Sequence, residues 1–532
     1  MRRCAIMERY ELLIIGAGPA GLSAAIEAAE KGMKVCIFDE NAKPGGQLFK
    51  QIHKFFGSKE HMAKTRGFRI GKLLLDQAEE LQVKVYLEAQ VLGIYENHVL
   101  SVRIGDQIET FRGDHIIIAT GAAEKMIPFT GWTLPGVIGA GAAQTMMNLH
   151  GVMPGSKVLM VGSGNVGLVV SYQLMQAGCE VAAVIDAAPK IGGYGVHAAK
   201  TARLGVPFYM SHTVIKAEGN ERVEKVTIGK VDETWQIIPG TEKEFDVDTI
   251  CIAVGLNPMA QLAKMAGCEM EDRGGLVPVC DEFGETSIEG IFAAGDVAGI
   301  EEASSAMITG RIAANAALAK SGYITEDGKM VRHTELKNSL EQLRQGMFAK
   351  ANRGKVITET EEGYPLSESL RIQGYVTKKD LENFPGAASH CGEGVHPVIE
   401  CTQNIPCNPC GDACRFGCIK IGGTISGIPA IDRDKTCTGC GMCVASCPGQ
   451  AIFLVNENYE PGSAAVSMPY EMLPAPEKGD VGAGLDRSGK KVCDAEVVEV
   501  RSAKSYDKTT VLTVKIPAEM ADQVRGYRGI CR

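Results

Sequence analysis

The stretch Glu11-Leu-Leu-Ile-Ile-Gly16-Ala-Gly18-Pro-Ala-Gly21 decides the fold of this 532-residue chain. An apolar strand leads directly into a G-x-G-x-x-G loop, a helical pattern continues to Lys31, and a second apolar run ends at Asp39 and Glu40. Such glycines let the backbone turn tightly and approach a pyrophosphate at a helix N-terminus, and an acid about 20 residues later accepts hydrogen bonds from a ribose hydroxyl. The pattern predicts a βαβ unit that binds a dinucleotide.

The same pattern occurs a second time. Lys157-Val-Leu-Met-Val161 leads into Gly162-Ser-Gly164-Asn-Val-Gly167, and a helical stretch and another strand follow, ending at Asp186. This acid lies one residue later than Asp39 does in the first copy, so its ribose role is less certain. The acid without an arginine cluster beside it favours NAD over NADP. Two alternatives stay open, a unit kept as scaffold and a unit that binds another adenine nucleotide.

Two further apolar strands end in small-residue turns, His115-Ile-Ile-Ile-Ala-Thr-Gly121 and Thr249-Ile-Cys-Ile-Ala-Val-Gly255. Farther on, Gly290-Ile-Phe-Ala-Ala-Gly-Asp296 precedes a helical pattern from Ala303 to Lys320. As a set, these motifs resemble the two-dinucleotide-binding-domain flavoproteins, the superfamily that includes thioredoxin reductase and the NADH-dependent disulfide reductases. The resemblance covers residues 9–325.

The resemblance implies an α/β chain with two nested Rossmann-like domains. FAD is expected in a domain made of 9–125 and 285–325, and NAD in a domain at 126–284 inserted into it. The residues expected at the FAD are Gly16, Gly18, Pro19, Ala20, Gly21, Asp39 or Glu40, Gly46, Gln47, Val91, Ala119, Thr120, Gly121, Gly295 and Asp296. Those expected at the second nucleotide are Gly162, Gly164, Asn165, Val166, Gly167, Asp186 and Gly255.

No catalytic residue is assigned with this set. His53 follows the flavin-side loop and is a weak candidate for a proton donor, but a lone histidine there is more often a packing residue or a phosphate neighbour. A disulfide-reducing dithiol is missing, because the place where thioredoxin reductase carries C-x-x-C reads Gly139-Ala-Gly-Ala-Ala-Gln144, and no C-x₄-C follows the first glycine loop. The sequence therefore argues against disulfide reduction.

A cysteine run adds a second kind of chemistry. Cys437-Thr-Gly-Cys440-Gly-Met-Cys443-Val-Ala-Ser-Cys447-Pro448 has the C-x₂-C-x₂-C-x₃-C-P spacing of iron–sulfur ligands in bacterial ferredoxins. A looser set stands before it, at Cys401, Cys407, Cys410 and Cys414. In two-cluster ferredoxins the fourth cysteine of each run ligates the other cluster. This rule predicts two [4Fe-4S] clusters, one on Cys401, Cys407, Cys410 and Cys447 and the other on Cys437, Cys440, Cys443 and Cys414.

The first cysteine set departs from the ferredoxin pattern in two ways. Its first gap is stretched, and Arg415 stands where a proline is expected. One cluster with a degenerate second half is therefore the alternative to two clusters. Cys418 falls where a small apolar core residue belongs, so it is interpreted as a packing residue.

The remaining segments give weaker signals. Residues 326–395 are predicted to be a helical linker, with Leu336, Leu340, Leu343 and Phe348 spaced for one helix face. An α+β ferredoxin-like module is expected at 396–456 and a small β-rich module at 457–532. His390 and Cys391 are interpreted as structural and not as metal ligands.

Charge and cysteine usage restrict the possible partners and the compartment. The net charge is −9 without a large basic cluster, which argues against nucleic acid. No signal-peptide core and no run of 18 apolar residues occurs, so no membrane association and a cytoplasmic location are expected. Half of the 18 cysteines lie between 401 and 447, which is typical of metal binding in a reducing compartment and not of a disulfide framework.

Within the superfamily, Met126-Ile-Pro-Phe-Thr-Gly-Trp-Thr-Leu-Pro-Gly-Val137 and the second unit through Ala187-Ala-Pro189 resemble the α subunits of heteromeric dye-linked amino- and imino-acid dehydrogenases. That group acts on proline, hydroxyproline, sarcosine and opines, and oxidises the amine at a flavin of a separate β subunit. The resemblance implies an electron-transferring flavoprotein subunit in a hetero-oligomer, whose partners are a further electron carrier and that β subunit. Two alternatives are a self-sufficient NAD(P)H:ferredoxin-type oxidoreductase, resembling the small subunit of glutamate synthase, and a non-enzymatic relay. In that small subunit, however, the cluster cysteines precede the flavin domain.

Overall fold

The computed structural model describes residues 8–347, 349–350, 367–387 and 394–529. They divide into two compact units. The first contains 8–53, 60–124 and 256–343, and the second contains 54–59, 125–255 and the described residues from 344 onward. Phe348, His390 and Cys391, for which the sequence made predictions, lie outside the described residues.

A seven-stranded, mainly parallel sheet forms the centre of the first unit. Its strand Glu8–Ile15 ends in four buried apolar residues, as expected for a strand that is covered on both faces. In spatial order the strands are Lys84–Tyr86, Val35–Phe38, Glu8–Ile15, Gln107–Ile118, Val99–Ile104 and Ala89–Tyr95, and Ile291–Ala293 also pairs with Gln107–Ile118. The smaller strand pairs are Ala122–Glu124 with Leu256–Pro258 and Met270–Asp272 with Leu276–Pro278.

Closely packed helices cover this sheet. The helices of the first unit are Pro19–Ala29, Gly67–Glu80, Gln261–Met265, Ala303–Lys320 and Glu326–Leu343. Pro19 occupies the first helical turn, where its missing N–H costs no hydrogen bond. Helix Ala303–Lys320 comes so near Pro19–Ala29 that a Cβ on Gly310 would overlap the carbonyl oxygen of Ala20.

A five-stranded parallel sheet forms the first part of the second unit. In spatial order its strands are Phe208–Met210, Glu180–Asp186, Lys157–Val161, Thr249–Ile252 and Val137–Gly139. Its helices are Ala140–His150, Asn165–Gln176 and Gly195–Ala202. An antiparallel sheet of His212–Glu218, Lys225–Lys230 and Lys243–Asp246 adds to it.

A seven-stranded antiparallel sheet forms the rest of the second unit. Its spatial order is His396–Ile399, Ile452–Glu460, Ser463–Tyr470, Thr510–Pro517, Lys491–Arg501, Val481–Leu485 and Gly526–Gly529. The cysteine-bearing loops lie between its first two strands in sequence, together with helices Pro409–Ala413 and Met442–Ser446 and the hairpin Ile419–Ile421 with Pro429–Ile431. Two further short helices, Glu368–Ile372 and Lys378–Leu381, precede this sheet.

These units differ from the predicted segment limits in two places. Residues 256–284, which were predicted to belong to the NAD domain, lie in the first unit. Strand Ile452–Glu460 crosses the predicted limit at 456, because it pairs with His396–Ile399 on one side and with Ser463–Tyr470 on the other. The cysteine module and the C-terminal strands therefore share one sheet.

The predicted apolar face at 336–343 packs within the first unit. Leu336 and Leu340 are buried against Ile308 and Ile312, and Leu343 is partly buried beside them. None of the described helices has the length and apolar character needed to cross a bilayer.

Replacing Gly310 with alanine should lower the free energy of unfolding by about 1–3 kcal/mol, because the added Cβ forces two packed helices apart. Urea unfolding of the purified protein measures this change. Gly328→Ala is the matched control, since Gly328 is exposed on helix Glu326–Leu343 and alanine is the better helix former. Equal stability of Gly310→Ala and the parent protein would contradict the packing described above.

Candidate nucleotide and iron–sulfur sites

The first glycine loop is built around three backbone positions. Gly16 has φ +107°, and a Cβ there would overlap the carbonyl oxygen of Ala119. A Cβ on Gly21 would overlap the carbonyl oxygen of Gly16. At Gly18, in contrast, a Cβ would meet nothing within 4 Å. The loop therefore leaves open space in front of helix Pro19–Ala29, where a pyrophosphate fits between backbone N–H groups.

The two acids at the end of strand Val35–Phe38 have different environments. Asp39 is buried, and its Oδ2 accepts a hydrogen bond from the backbone N–H of Ala17 at 2.7 Å. Its Oδ1 accepts from the backbone N–H of Asn41 at 2.9 Å. Oδ2 of Asp39 thus holds the glycine loop and Oδ1 holds the residues after the strand, whereas Glu40 is exposed. Of the two acids that the sequence offers for a ribose, the geometry favours Glu40.

The Gly45-Gly46 turn lies directly on the glycine loop. The N–H of Gly45 donates to the carbonyl oxygen of Ala17 at 2.7 Å, and a Cβ on Gly46 would lie 2.9 Å from the Cα of Gly18. Gly46 and Gln47, which the sequence predicts near the flavin, are both exposed. Both are positioned to reach a nucleotide that enters the space beside Gly18.

The structure places some of the other residues predicted for FAD at the first glycine loop. Ala119 and Thr120 border Gly16, and a Cβ on Gly295 would lie 2.9 Å from the Cβ of Ala20. The carboxylate of Asp296 accepts from the backbone N–H of Glu301 at 3.1 Å. Gly121 has the positive φ of a tight turn, and Val91 is half-buried on the outer strand Ala89–Tyr95. His53 is half-buried, and its role as a proton donor stays a prediction.

The second glycine loop repeats this geometry. Gly162 has φ +114°, and a Cβ there would overlap the carbonyl oxygen of Ala253. A Cβ on Gly167 would overlap the carbonyl oxygen of Gly162, while Gly164 again has nothing within 4 Å. Val166 is exposed at the start of helix Asn165–Gln176, and Gly255 has a positive φ in the turn after Thr249–Ile252. The space before this helix is as open as the space in the first unit.

Asp186 has the same structural role as Asp39. Its Oδ2 accepts from the backbone N–H of Ser163 at 2.7 Å and from the hydroxyl of Ser163 at 2.6 Å, and its Oδ1 accepts from the N–H of Ala188 at 2.9 Å. The position that corresponds to Glu40 is Ala187. A ribose carboxylate therefore has no counterpart at that position of the second unit.

One repeat was not predicted from the sequence. Asp39 is followed by five residues and Gly45-Gly46, and Asp186 is likewise followed by five residues and Gly192-Gly193. The N–H of Gly193 donates to the carbonyl oxygen of Ser163 at 2.9 Å, and a Cβ on Gly193 would lie 2.8 Å from the N of Asn165. The side-chain oxygen of Asn165 accepts from the N–H of Tyr194 at 2.8 Å. The doubled glycine was thus a readable signal for the second loop.

Four of the predicted iron–sulfur ligands line one pocket in the second unit. Its sulfur-bearing residues are Cys401, Cys407, Cys410 and Cys447. Phe56 and Val196 also line this pocket, and neither was identified from sequence. Burial raises the pKa of the Cys401 thiol and raises that of Cys410 to about 12, because a thiolate loses its hydration in this enclosed place.

The other four predicted ligands line a second pocket. They are Cys414, Cys437, Cys440 and Cys443. Cys443 is buried, whereas Cys440 is exposed, and the exposed Phe416 stands in the same wall. Cys418 is buried, and its N–H donates to the Sγ of Cys414 at 3.2 Å.

Both pockets suit an iron–sulfur cluster better than a single metal ion. Among the described residues, no three Cys, His, Asp or Glu side chains are close enough together to hold one ion. A four-iron cluster needs its sulfur ligands farther apart, around a larger body. Backbone N–H groups also point at the sulfurs, from Gly439 to Cys437 and from Ala451 to Cys447, each at 3.4 Å. Hydrogen bonds of this kind stabilise bound thiolates.

The fold and these sites define a class, that of α/β oxidoreductases with two Rossmann-type glycine loops and an iron–sulfur module. The model of the pyridine nucleotide-disulphide oxidoreductase family matches residues 10–310, and that of the 4Fe-4S binding domain matches residues 432–453. The chain therefore belongs to the pyridine nucleotide-disulphide oxidoreductase family and carries a 4Fe-4S domain in addition. The predicted fold class and superfamily are confirmed.

Three relatives come from heteromeric enzymes by their names. The A-type subunit of opine oxidase from Agrobacterium tumefaciens (strain Ach5) is 31% identical, over 58% of this chain and 65% of that protein. Hydrogen cyanide synthase subunit HcnB of Pseudomonas aeruginosa is 30% identical, over 57% and 69%. The alpha subunit of sarcosine oxidase from Corynebacterium sp. (strain P-1) is 27% identical, over 59% and 33%. The chain spans just under two thirds of the opine oxidase relative, and the predicted resemblance to this group of α subunits is confirmed.

Gly18→Val should release most of the FAD, because the valine side chain fills the open space beside the first helix. Flavin absorbance per chain after gel filtration measures the loss. Gly164→Val is the matched control, since it fills the equivalent space in the other unit and should leave flavin in place while removing the second nucleotide. Full flavin content in Gly18→Val would refute the first assignment.

Cys440→Ala should remove one cluster's share of the iron while FAD stays bound, because the substitution deletes one of four sulfurs in the second pocket. Iron and flavin analysis of anaerobically purified protein gives both values. Cys418→Ala alters the same wall outside the predicted ligand set and should keep all the iron. Unchanged iron in Cys440→Ala would show that this residue is not a ligand.

Proposed function

We propose that this chain is the electron-transferring subunit of an amino- or imino-acid dehydrogenase complex of the proline, hydroxyproline, sarcosine and opine type. It would pass electrons between FAD, two [4Fe-4S] clusters and NAD(H) or another carrier. The observation that supports this most is that the eight predicted ligand cysteines lie four in each of two pockets, with Cys418 as a fifth cysteine in the wall of the second. In each pocket the fourth cysteine comes from the other run, as the ligand rule for two-cluster ferredoxins requires.

The parts of the chain supply complementary chemistry. Bound flavin exchanges two electrons as a hydride with a carbon or a nicotinamide and single electrons with iron–sulfur centres. The first glycine loop offers N–H groups to the pyrophosphate, and Glu40 offers its exposed carboxylate to the ribose. The cysteines of both pockets offer thiolates to iron. With no cysteine at Gly139-Ala-Gly-Ala-Ala-Gln144, the chain has no dithiol at that place to reduce a disulfide.

The second glycine loop is proposed to bind NAD(H) or another adenine nucleotide. The open space beside Gly164, in front of helix Asn165–Gln176, supports this proposal. Gly192-Gly193 follows Asp186 at the same spacing as Gly45-Gly46 follows Asp39. Ala187 in place of Glu40 removes one carboxylate that could contact a ribose, so the two nucleotides would be held by different contacts.

The substrate-oxidising step is proposed to occur in a partner. The relatives from opine oxidase and sarcosine oxidase are, by name, parts of larger enzymes. A flavoprotein β subunit would oxidise the amine, and this chain would receive the electrons in a hetero-oligomer. A further electron carrier would take them onward.

One observation favours a second candidate function. Two open glycine loops and two cysteine pockets lie in a single chain, which would suffice for a self-contained NAD(P)H:ferredoxin-type oxidoreductase. In that case NADH would reduce the flavin without a partner.

Anaerobic reduction of the flavin separates the two functions. For the proposed subunit, proline, sarcosine or an opine should bleach the flavin absorbance of this chain only when the co-purified partner is present. NADH bleaching of the isolated chain at a comparable rate would instead support the second candidate. A protein that neither reductant bleaches, with or without the partner, would contradict both.

A further inference from the structure

Three arginine side chains are buried in the unit that contains the first cysteine pocket. They are those of Arg203, Arg487 and Arg525. Arg487 donates from Nη2, and Arg525 from Nε, to the same oxygen of Glu400 at 2.7 Å. Glu400 immediately precedes Cys401, the first sulfur of the pocket.

The carboxylate of Glu400 forms ion pairs with two of these arginines, Arg487 and Arg525. Arg203 is not part of this arrangement. Burying an uncompensated cation is costly, so a further negative charge is expected near Arg203.

Of these three arginines, Arg203 forms no ion pair with any of the described residues. It follows helix Gly195–Ala202, and its Nη2 donates to the carbonyl oxygen of Gln450 at 2.8 Å. Its guanidinium lies over the ring of Phe453, 5.2 Å from the centroid. The amide side chain of Gln450 is itself fixed by a 2.8 Å hydrogen bond from Tyr172.

The same turn carries a sulfur of the first pocket. Gln450 follows Cys447 by three residues, and the N–H of Ala451 donates to the Sγ of Cys447. Val196 of helix Gly195–Ala202 also lines the pocket, so the helix that carries Arg203 is part of its wall.

An iron–sulfur cluster held by four thiolates is an anion, and reduction adds one more electron and no proton. A buried cation beside it favours the reduced form, because Coulomb attraction is strong where water is excluded. We propose that Arg203 sets the reduction potential of the cluster held by Cys401, Cys407, Cys410 and Cys447, and keeps it higher than a neutral residue would. The inference rests on the proposed two-cluster function.

The second pocket provides the contrast. Arg501 donates to the carbonyl oxygen of Gly439 at 2.7 Å, next to Cys440, but it also forms an ion pair with Glu499 at 3.3 Å. Cys440 is exposed to solvent, which screens nearby charge. Arg501 should therefore influence its cluster much less than Arg203 influences the other.

Mediated potentiometric titration with electron paramagnetic resonance detection tests the proposal on the full, cluster-loaded protein. In Arg203→Met, the ratio of reduced to oxidised first cluster at a fixed potential should fall about tenfold, or about 59 mV for a one-electron couple. Arg203→Lys should restore most of the shift because it keeps the charge. Arg501→Met should leave the first cluster's potential unchanged. The resonance that changes in Cys440→Ala belongs to the second cluster. This variant therefore shows which resonance comes from which cluster.

Each outcome has a distinct meaning. Two clusters with an unmoved potential in Arg203→Met would overturn the role of Arg203 and leave the two-cluster proposal standing. Iron for only one cluster in the parent protein would overturn the two-cluster proposal itself. A fall in potential that Arg203→Lys fails to reverse would show that packing, and not charge, is responsible.

Discussion

The fold depends on backbone contacts that exclude any side chain at four glycines, Gly16, Gly21, Gly162 and Gly167. At each of them a Cβ would overlap a carbonyl oxygen of a neighbouring strand or of the loop itself. These contacts fix the turn between strand and helix in both glycine loops, so the N-terminus of each helix points at open space. Asp39 and Asp186 then hold the turns from the side through backbone N–H groups. The open space in front of each helix is a product of this turn.

In the second unit, the important constraint is the burial of charged groups. Its first cysteine pocket is lined mainly by apolar residues, and its second pocket opens to solvent at Cys440. The environments differ although each pocket contains four predicted ligands. Enclosure strengthens each charge interaction around the first pocket, whereas solvent weakens those around the second. Two similar clusters in such places would have different potentials, which is what gives direction to electron flow.

Sequence patterns predicted the parts whose structure is local. The strand ending at Ile15, the helix from Ala303 to Lys320 and the cysteine spacing each depend on residues close together in the chain, so their patterns were readable. The role of Asp39 was not, because only the folded loop shows that both its oxygens are used. Strand Ile452–Glu460 crossed a predicted limit because its partners, His396–Ile399 and Ser463–Tyr470, lie on both sides of that limit. The sequence of a single strand does not show which distant segments of the chain it pairs with.

The crossed assignment of the cysteines has a consequence for biosynthesis. Cys401, Cys407 and Cys410 leave the ribosome first, but the fourth sulfur of their pocket, Cys447, is made last. All the sulfurs of the other pocket, from Cys414 to Cys443, are made before it. During translation the four predicted ligands of the solvent-facing site are therefore all made before the last predicted ligand of the enclosed one. The walls follow a different order, because strand Ile452–Glu460 contributes Ile452 to the enclosed pocket and Leu454 to the solvent-facing one. Both pockets thus gain their full lining only when this strand, made after all eight predicted ligands, has been added.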